Sequence, residues 1–326
     1  MKKFASITLL IITLLVLASC VNSKKADIVT TMFPQYDFAR QIVGDKMTVS
    51  LLIPPGAEIH DYEATSRDIV AIKESKLFIF TSLEIDTWIK DETKIGGTNT
   101  IVLNLSTAYE LAEHDHHDDH LHTAHQSKLS YNLSEDDHDH DHDDEIHFWT
   151  DPTTAIQLIE AILEKIIEID PENADFYRAN AHAYIHEIDE IHHELSEYLE
   201  DYEDSIIYFA GHNAMGAFAE RYHLNIVSLF SDFKPDADLT SAELIRFVNQ
   251  VKNANTNFLF IEELVDPKAA NKIKSELAKE NINLTLLVLH GYHNVTKAEM
   301  EEGVTYSSLL QMNFDHLKMV LTGTSI

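Results

Sequence analysis

The 326-residue chain contains a single cysteine, Cys20. An internal disulfide is therefore excluded, and a site built of several thiolates with it. Positive charge is also scarce: 24 Lys and Arg stand against 55 Asp and Glu, a formal net charge of −31. Such a field repels phosphate backbones, so a nucleic-acid partner is not expected, and it attracts cations. The longest apolar run, Phe4–Leu17, is too short to span a bilayer as a mature helix, which argues against a multi-span membrane protein. There is no His-Glu-x-x-His, no Gly-x-Ser-x-Gly and no phosphate-binding glycine loop, so no hydrolase or nucleotide chemistry is announced. What is abundant is histidine, with 20 residues. Many imidazoles, many carboxylates and almost no thiol point to metal chemistry through nitrogen and oxygen.

The N-terminus reads as an export signal over residues 1–19: Lys2 and Lys3, the apolar run, then Leu17-Ala18-Ser19-Cys20. That box resembles a bacterial lipoprotein cleavage site, with Cys20 as the lipidated first residue and 20–25 as a tether. The mature chain is then expected outside the cytoplasm, anchored to a membrane by lipid.

Eight short apolar runs are expected as strands: Ile28–Thr31, Val49–Ile53, Leu77–Thr81, Ile101–Leu105, Ile206–Ala210, Asn225–Leu229, Phe258–Glu262 and Leu284–Leu289. Helical patterns alternate with them, and the runs are continuously apolar. The fold class is therefore α/β, with two lobes, each a four-stranded parallel sheet covered by helices. The first lobe is expected over 26–170 and the second over 201–326. Between them, 171–200 reads as one long helix, opened at Asp170-Pro171-Glu172. A single stiff helix, in place of a pair of extended crossover strands, predicts little lobe closure.

Residues 113–146 break this pattern. From Glu113 to His147 the segment holds ten His and twelve Asp or Glu, with one Lys, and has no periodicity. Its His114, His116, His117, His120, His122, His125, His138, His140 and His142 are expected to capture metal ions weakly in a mobile surface loop. A further set on the long helix, His182, His186, Asp189 and His193, shares one face and reads chiefly as a solvated surface.

Other histidines have more defined settings. His60 and His212 follow expected strands, as does the group His290-Gly291-Tyr292-His293, and His147 immediately precedes a helix. In parallel α/β sheets, ligands bind beyond the carboxyl ends of strands, so these residues can converge between the lobes.

Four motifs carry a family resemblance: Pro54-Pro55-Gly56-x-x-x-His60-Asp61-Tyr62-Glu63, His147-x-Trp149-x-Asp151-Pro152, Asp170-Pro171-Glu172-Asn173, and His212-Asn213-Ala214-x-Gly216-x-Phe218-Ala219. Together they resemble the solute-binding lipoproteins of bacterial ABC importers for zinc and manganese, of the type with a rigid helical linker. The resemblance implies one tight Zn(II) site, with His60, His147 and His212 as three ligands. For the fourth position, counting back from Gly303-Val304-Thr305-Tyr306 gives His293, whereas counting forward from the strand end gives His290. His293 is preferred; His290, Glu58 or water are the alternatives. The implied partners are a permease and its ATPase, the implied state a monomer, and the implied activity binding rather than catalysis. A surface adhesin and a manganese importer component are the competing functions.

Overall fold

The computed structural model describes residues 25–109, 146–203, 205–230 and 240–323. Cys20 and the nine loop histidines lie outside the described residues. Among the described residues, no helix is long and apolar enough to cross a membrane.

The first sheet consists of β1 (Ile28–Thr30), β2 (Val49–Leu51), β3 (Leu77–Phe80) and β4 (Ile101–Asn104), all parallel in the order β2-β1-β3-β4. The second consists of β5 (Ile206–Ala210), β6 (Asn225–Ser228), β7 (Phe258–Ile261) and β8 (Thr285–Val288), in the order β6-β5-β7-β8, also parallel. The eight expected strands and the two-sheet α/β class are thus present. In both sheets the strand order reverses beside the first strand. That reversal opens the crevice where parallel sheets receive ligands.

Strand periodicity assigns the two faces. Leu77 and Ile79 point into a core shared by both lobes, while Phe78 and Phe80 point to the outer layer of the first lobe. There Ile72 of the helix Ser66–Glu74 covers them. In the second lobe, Ile207 and Phe209 join the shared core. Leu259 faces outward instead, against Leu244, Phe247 and Val251 of the helix Ser241–Asn253 and Ile273 of the helix Lys268–Ala278.

Two helices lie between the two sheets in sequence: the first packs on the first lobe, and the second is the single long linker. The connecting helix Pro152–Ile169 starts at Asp151, whose carboxylate accepts the Thr153 N–H at 2.9 Å, with Pro152 in the first turn where its missing N–H costs nothing. The linker helix Ala174–Leu199 has 26 residues, about 39 Å of helix, and is extended by single tight turns at 171–173 and 200–202. The C-terminal helix Tyr306–Thr322 follows the second lobe in sequence but packs on the linker helix and on the first-lobe helix Phe33–Val43. One buried cluster therefore runs from Ile28 and Phe38 through Tyr184 to Phe209, Tyr292 and Phe314.

Polar ties reinforce this core. Arg221 grips Asp151 through Nε at 3.0 Å and Nη2 at 2.7 Å. Asn294 Nδ2 donates to the carbonyls of Pro54 and Ala57 at 2.8 and 3.0 Å. Large rigid-body closure would have to break these contacts together with the shared core.

Candidate metal centre

His60 sits in the loop after β2. Gly56 turns that loop with φ +84°, a region glycine enters without steric cost, and its N–H donates to Val295 O at 2.8 Å. Glu58 is exposed and folds back on the loop. Its Oε1 accepts the Ile59 and His60 N–H groups at 2.9 and 3.1 Å.

His147 opens the tight turn Phe148–Thr150 that leads into the connecting helix. Its carbonyl accepts both the N–H and the hydroxyl of Thr150, at 3.0 and 2.9 Å. Buried Phe148 and Trp149 anchor the turn in the shared core. His212 follows β5, and His293 follows β8 by way of the loop His290–Tyr292.

The structure brings His60, His147, His212 and His293 together. One potential donor atom from each ring lies within 4.8 Å of those from the other three. The ring centres are 5.7, 5.3 and 5.8 Å from His60 to His147, His212 and His293. The remaining pairs are 5.3 Å for His147–His212, 5.1 Å for His147–His293 and 5.2 Å for His212–His293. His290 and Glu58 are not in this group. His290 is buried, and its Nδ1 accepts the Tyr292 N–H at 2.8 Å. On the linker helix, His186 and His193 are exposed beside Glu190 and Asp189, and among the described residues they join no metal-binding group.

Two carboxylates at the end of β7 orient the second-lobe rings. His212 Nδ1 lies 2.8 Å from Glu262 Oε1, and the His212 N–H donates to Glu262 Oε2 at 3.3 Å. His293 Nδ1 lies 2.8 Å from Glu263 Oε1, while Glu263 Oε2 accepts the Gly291 N–H at 2.9 Å. A carboxylate on Nδ1 fixes the proton there and turns Nε2 outward as a lone-pair donor. The Nε2 atoms of His212 and His293 are buried and have no hydrogen-bond partner among the described residues. Glu262 and Glu263 were not singled out by sequence. They occupy the same strand-end position that identified the histidines, and that was the available signal.

The electrostatics favour neutral rings at two positions. Burial, helped by His293 and His212, pulls the His60 pKa down to about 3. Burial and the other three rings hold His147 well below the ordinary histidine value. Burial also acts to lower His293, but its hydrogen bond to Glu263 and the charges of Glu263, Glu262 and Glu58 outweigh it, and its pKa is raised. Glu263 is lowered: burial opposes its charge, but His290 and His293 outweigh that penalty.

Relatives carry the same architecture. The high-affinity zinc uptake system protein ZnuA of Bacillus subtilis (strain 168) is 28% identical over 331 residues, spanning 97% of each chain. The zinc-binding lipoprotein AdcA of Streptococcus pneumoniae (strain ATCC BAA-255 / R6) is also 28% identical, over 98% of this chain but only 61% of its own length. Among solved structures, the metal-dependent lipoprotein YcdH of Bacillus subtilis superposes with a TM-score of 0.69 at 26% identity, covering 90% of this chain and 98% of that one. The Zn(II)-bound ZnuA-like domain of Streptococcus pneumoniae AdcA superposes with a TM-score of 0.70 at 24% identity, over 91% and 98% of the two chains, a likeness of fold. The model of the family described as zinc-uptake complex component A, periplasmic, matches residues 28–320, both sheets and the helices between them included, and the chain belongs to that family of solute-binding proteins, which are not enzymes.

Proposed function

We propose that the four histidines bind one Zn(II) outside the cytoplasm and that the chain delivers it to the permease of an ABC-type importer. The near-equality of the six ring separations carries this reading. A zinc bonded to four imidazole nitrogens at about 2.0–2.1 Å holds the ring centres roughly 3.2 Å from the metal, so about 5.2 Å apart in a regular tetrahedron. The observed separations run from 5.1 to 5.8 Å. A square arrangement, as Cu(II) or Ni(II) favours, would make two of the six longer by a factor of about 1.4. Manganese favours oxygen ligands, and this group offers only nitrogen. Charge also balances, since four neutral imidazoles leave Zn(II) at +2 and Glu262 and Glu263 stand one layer out. With all four positions filled by protein, no site remains for a reacting water, which suits carriage rather than catalysis.

The relatives named for zinc uptake and zinc binding support the choice of cargo. The signal box ending at Cys20 supports a lipid tether. A strain lacking this gene should grow poorly under zinc limitation. The wild-type gene should restore growth, and a gene carrying His212→Ala should not. A normal growth yield in the deletion strain would favour the adhesin-like reading and defeat this one.

The histidines between His114 and His142 are assigned a supporting role, weak capture that raises zinc concentration near the cleft. Deleting residues 114–142 should leave one tight site in titration calorimetry and remove additional weak ones. An unchanged stoichiometry would count against that role.

A further inference from the structure

Tyr292 has φ +63° and is fully buried. A bulky L-residue is disfavoured in that left-handed region because its Cβ crowds the backbone carbonyl, so its surroundings must hold it there. Asn313, on the C-terminal helix, does much of this. Its Oδ1 accepts the His290 N–H at 2.8 Å, and its Nδ2 donates to His290 O at 2.9 Å and to the Tyr292 hydroxyl at 3.0 Å. The Tyr306 ring stacks on Tyr292 at 4.2 Å.

The same contacts reach the other lobe. The Tyr306 hydroxyl donates to Trp149 O at 3.0 Å, and Trp149 Nε1 donates to Gly291 O at 2.9 Å. Trp149 is two residues from His147. Asn313, Tyr292, Tyr306 and Trp149 therefore join the turn that carries His147 to the loop that carries His293. Little slack remains inside that loop. A Cβ on Gly291 would lie 2.5 Å from His293 Cε1 and 2.7 Å from His293 Nδ1.

We propose that Asn313 and Tyr292 are positioning residues that fix His293 against His147 before the metal arrives, and so make the centre select tetrahedral ions. This rests on the four-histidine zinc reading above. With the lock in place, ordering of the fourth ligand is completed on folding rather than on binding. Without it, His293 drifts, a coordination position opens to water, and ions that accept five or six ligands gain relative to zinc.

The test uses the full-length chain, one equivalent of cobalt(II) as a spectroscopic probe, and zinc and manganese affinities. Tyr292→Gly keeps the left-handed backbone free of strain but removes the ring and hydroxyl; Asn313→Leu removes the hydrogen bonds. Each is expected to lower zinc affinity about 10-fold, the low end of the range for direct partners of a metal ligand, since Asn313 and the Tyr292 ring act on His293 through its loop. Each should also weaken the intense visible bands of tetrahedral cobalt(II) and narrow the zinc-over-manganese preference. If Asn313→Leu does not fold, Tyr292→Gly decides. Wild-type affinity and wild-type cobalt bands in a folded Tyr292→Gly chain would overturn the proposal. Absence of tetrahedral bands in the wild-type chain would instead overturn the four-histidine reading on which it rests.

Discussion

Replacing His212 with Ala is expected to weaken zinc binding by about two to three orders of magnitude. The scale comes from structural zinc sites, where roughly 10–16 kcal/mol of binding free energy is shared among four ligands. His212 is the appropriate choice because it is fully buried and held on two sides by Glu262. Its loss removes one nitrogen and leaves that carboxylate without its imidazole. Competition against a chromophoric chelator would measure the change. Zinc should also cease to protect the variant from heat at metal concentrations that protect the wild-type chain, by about 4 kcal/mol at a thousandfold excess over Kd. Wild-type affinity in the folded variant would remove His212 from the ligand set. His293→Ala should give a loss of the same order and should also change the pH profile. The raised pKa of His293 means that its ring takes up a proton before the depressed His60 and His147 rings as pH falls. A protonated ring cannot bind metal, so wild-type affinity should begin to fall at a pH above the ordinary histidine value. The His293→Ala variant should lack that first limb.

Much of this architecture was legible in the chain itself. Apolar runs such as Leu77–Phe80 are read easily because a strand covered on both faces must be continuously hydrophobic. The placement of His60 and His212 followed from the strand-end rule, since a parallel sheet directs its loops to one side. That His293 rather than His290 joins the four-histidine group has a physical reason that is harder to read in sequence. It depends on the left-handed Tyr292, on Glu263 some 30 residues away, and on Asn313 in the last helix. No local pattern encodes those contacts. Glu262 and Glu263 were obscured differently, as two acids among 55. Only contact with the imidazoles distinguishes them from the carboxylates of a solvated acidic surface. The packing of the C-terminal helix against the first lobe was likewise invisible in sequence order. It arises because the apolar face carrying Leu310, Phe314 and Leu317 completes the core shared by the two lobes.

That packing makes Asp37 a consequential polar residue away from the candidate metal centre, and Asp37→Ala is expected to destabilise the metal-free chain by about 2–5 kcal/mol, the scale for leaving two buried donors without their acceptor. Asp37 is fully buried in the helix Phe33–Val43. Its Oδ1 receives Arg40 at 2.9 Å, and its Oδ2 accepts the Tyr184 hydroxyl and, at 2.8 Å, the Tyr306 N–H. One carboxylate thus joins the first lobe, the linker helix and the start of the C-terminal helix. Alanine would leave the Tyr184 hydroxyl and the Tyr306 N–H without this acceptor in a dry core. Asp37→Asn keeps an acceptor oxygen and should cost much less, and it separates hydrogen bonding from charge. Burial raises the Asp37 pKa despite Arg40, Tyr184 and Tyr306, which act to lower it. The native chain therefore holds this proton more tightly than the unfolded chain does. Stability contributed by this group is full below the ordinary carboxylate value and declines as pH rises through the elevated native one. The asparagine variant should lack that decline, so its deficit relative to wild type should shrink as pH rises across that window. Thermal unfolding of the three metal-free chains across acidic pH would measure both effects. Equal stability of Asp37→Ala and wild type would show that the junction of lobe, linker and C-terminal helix is held by its apolar contacts alone.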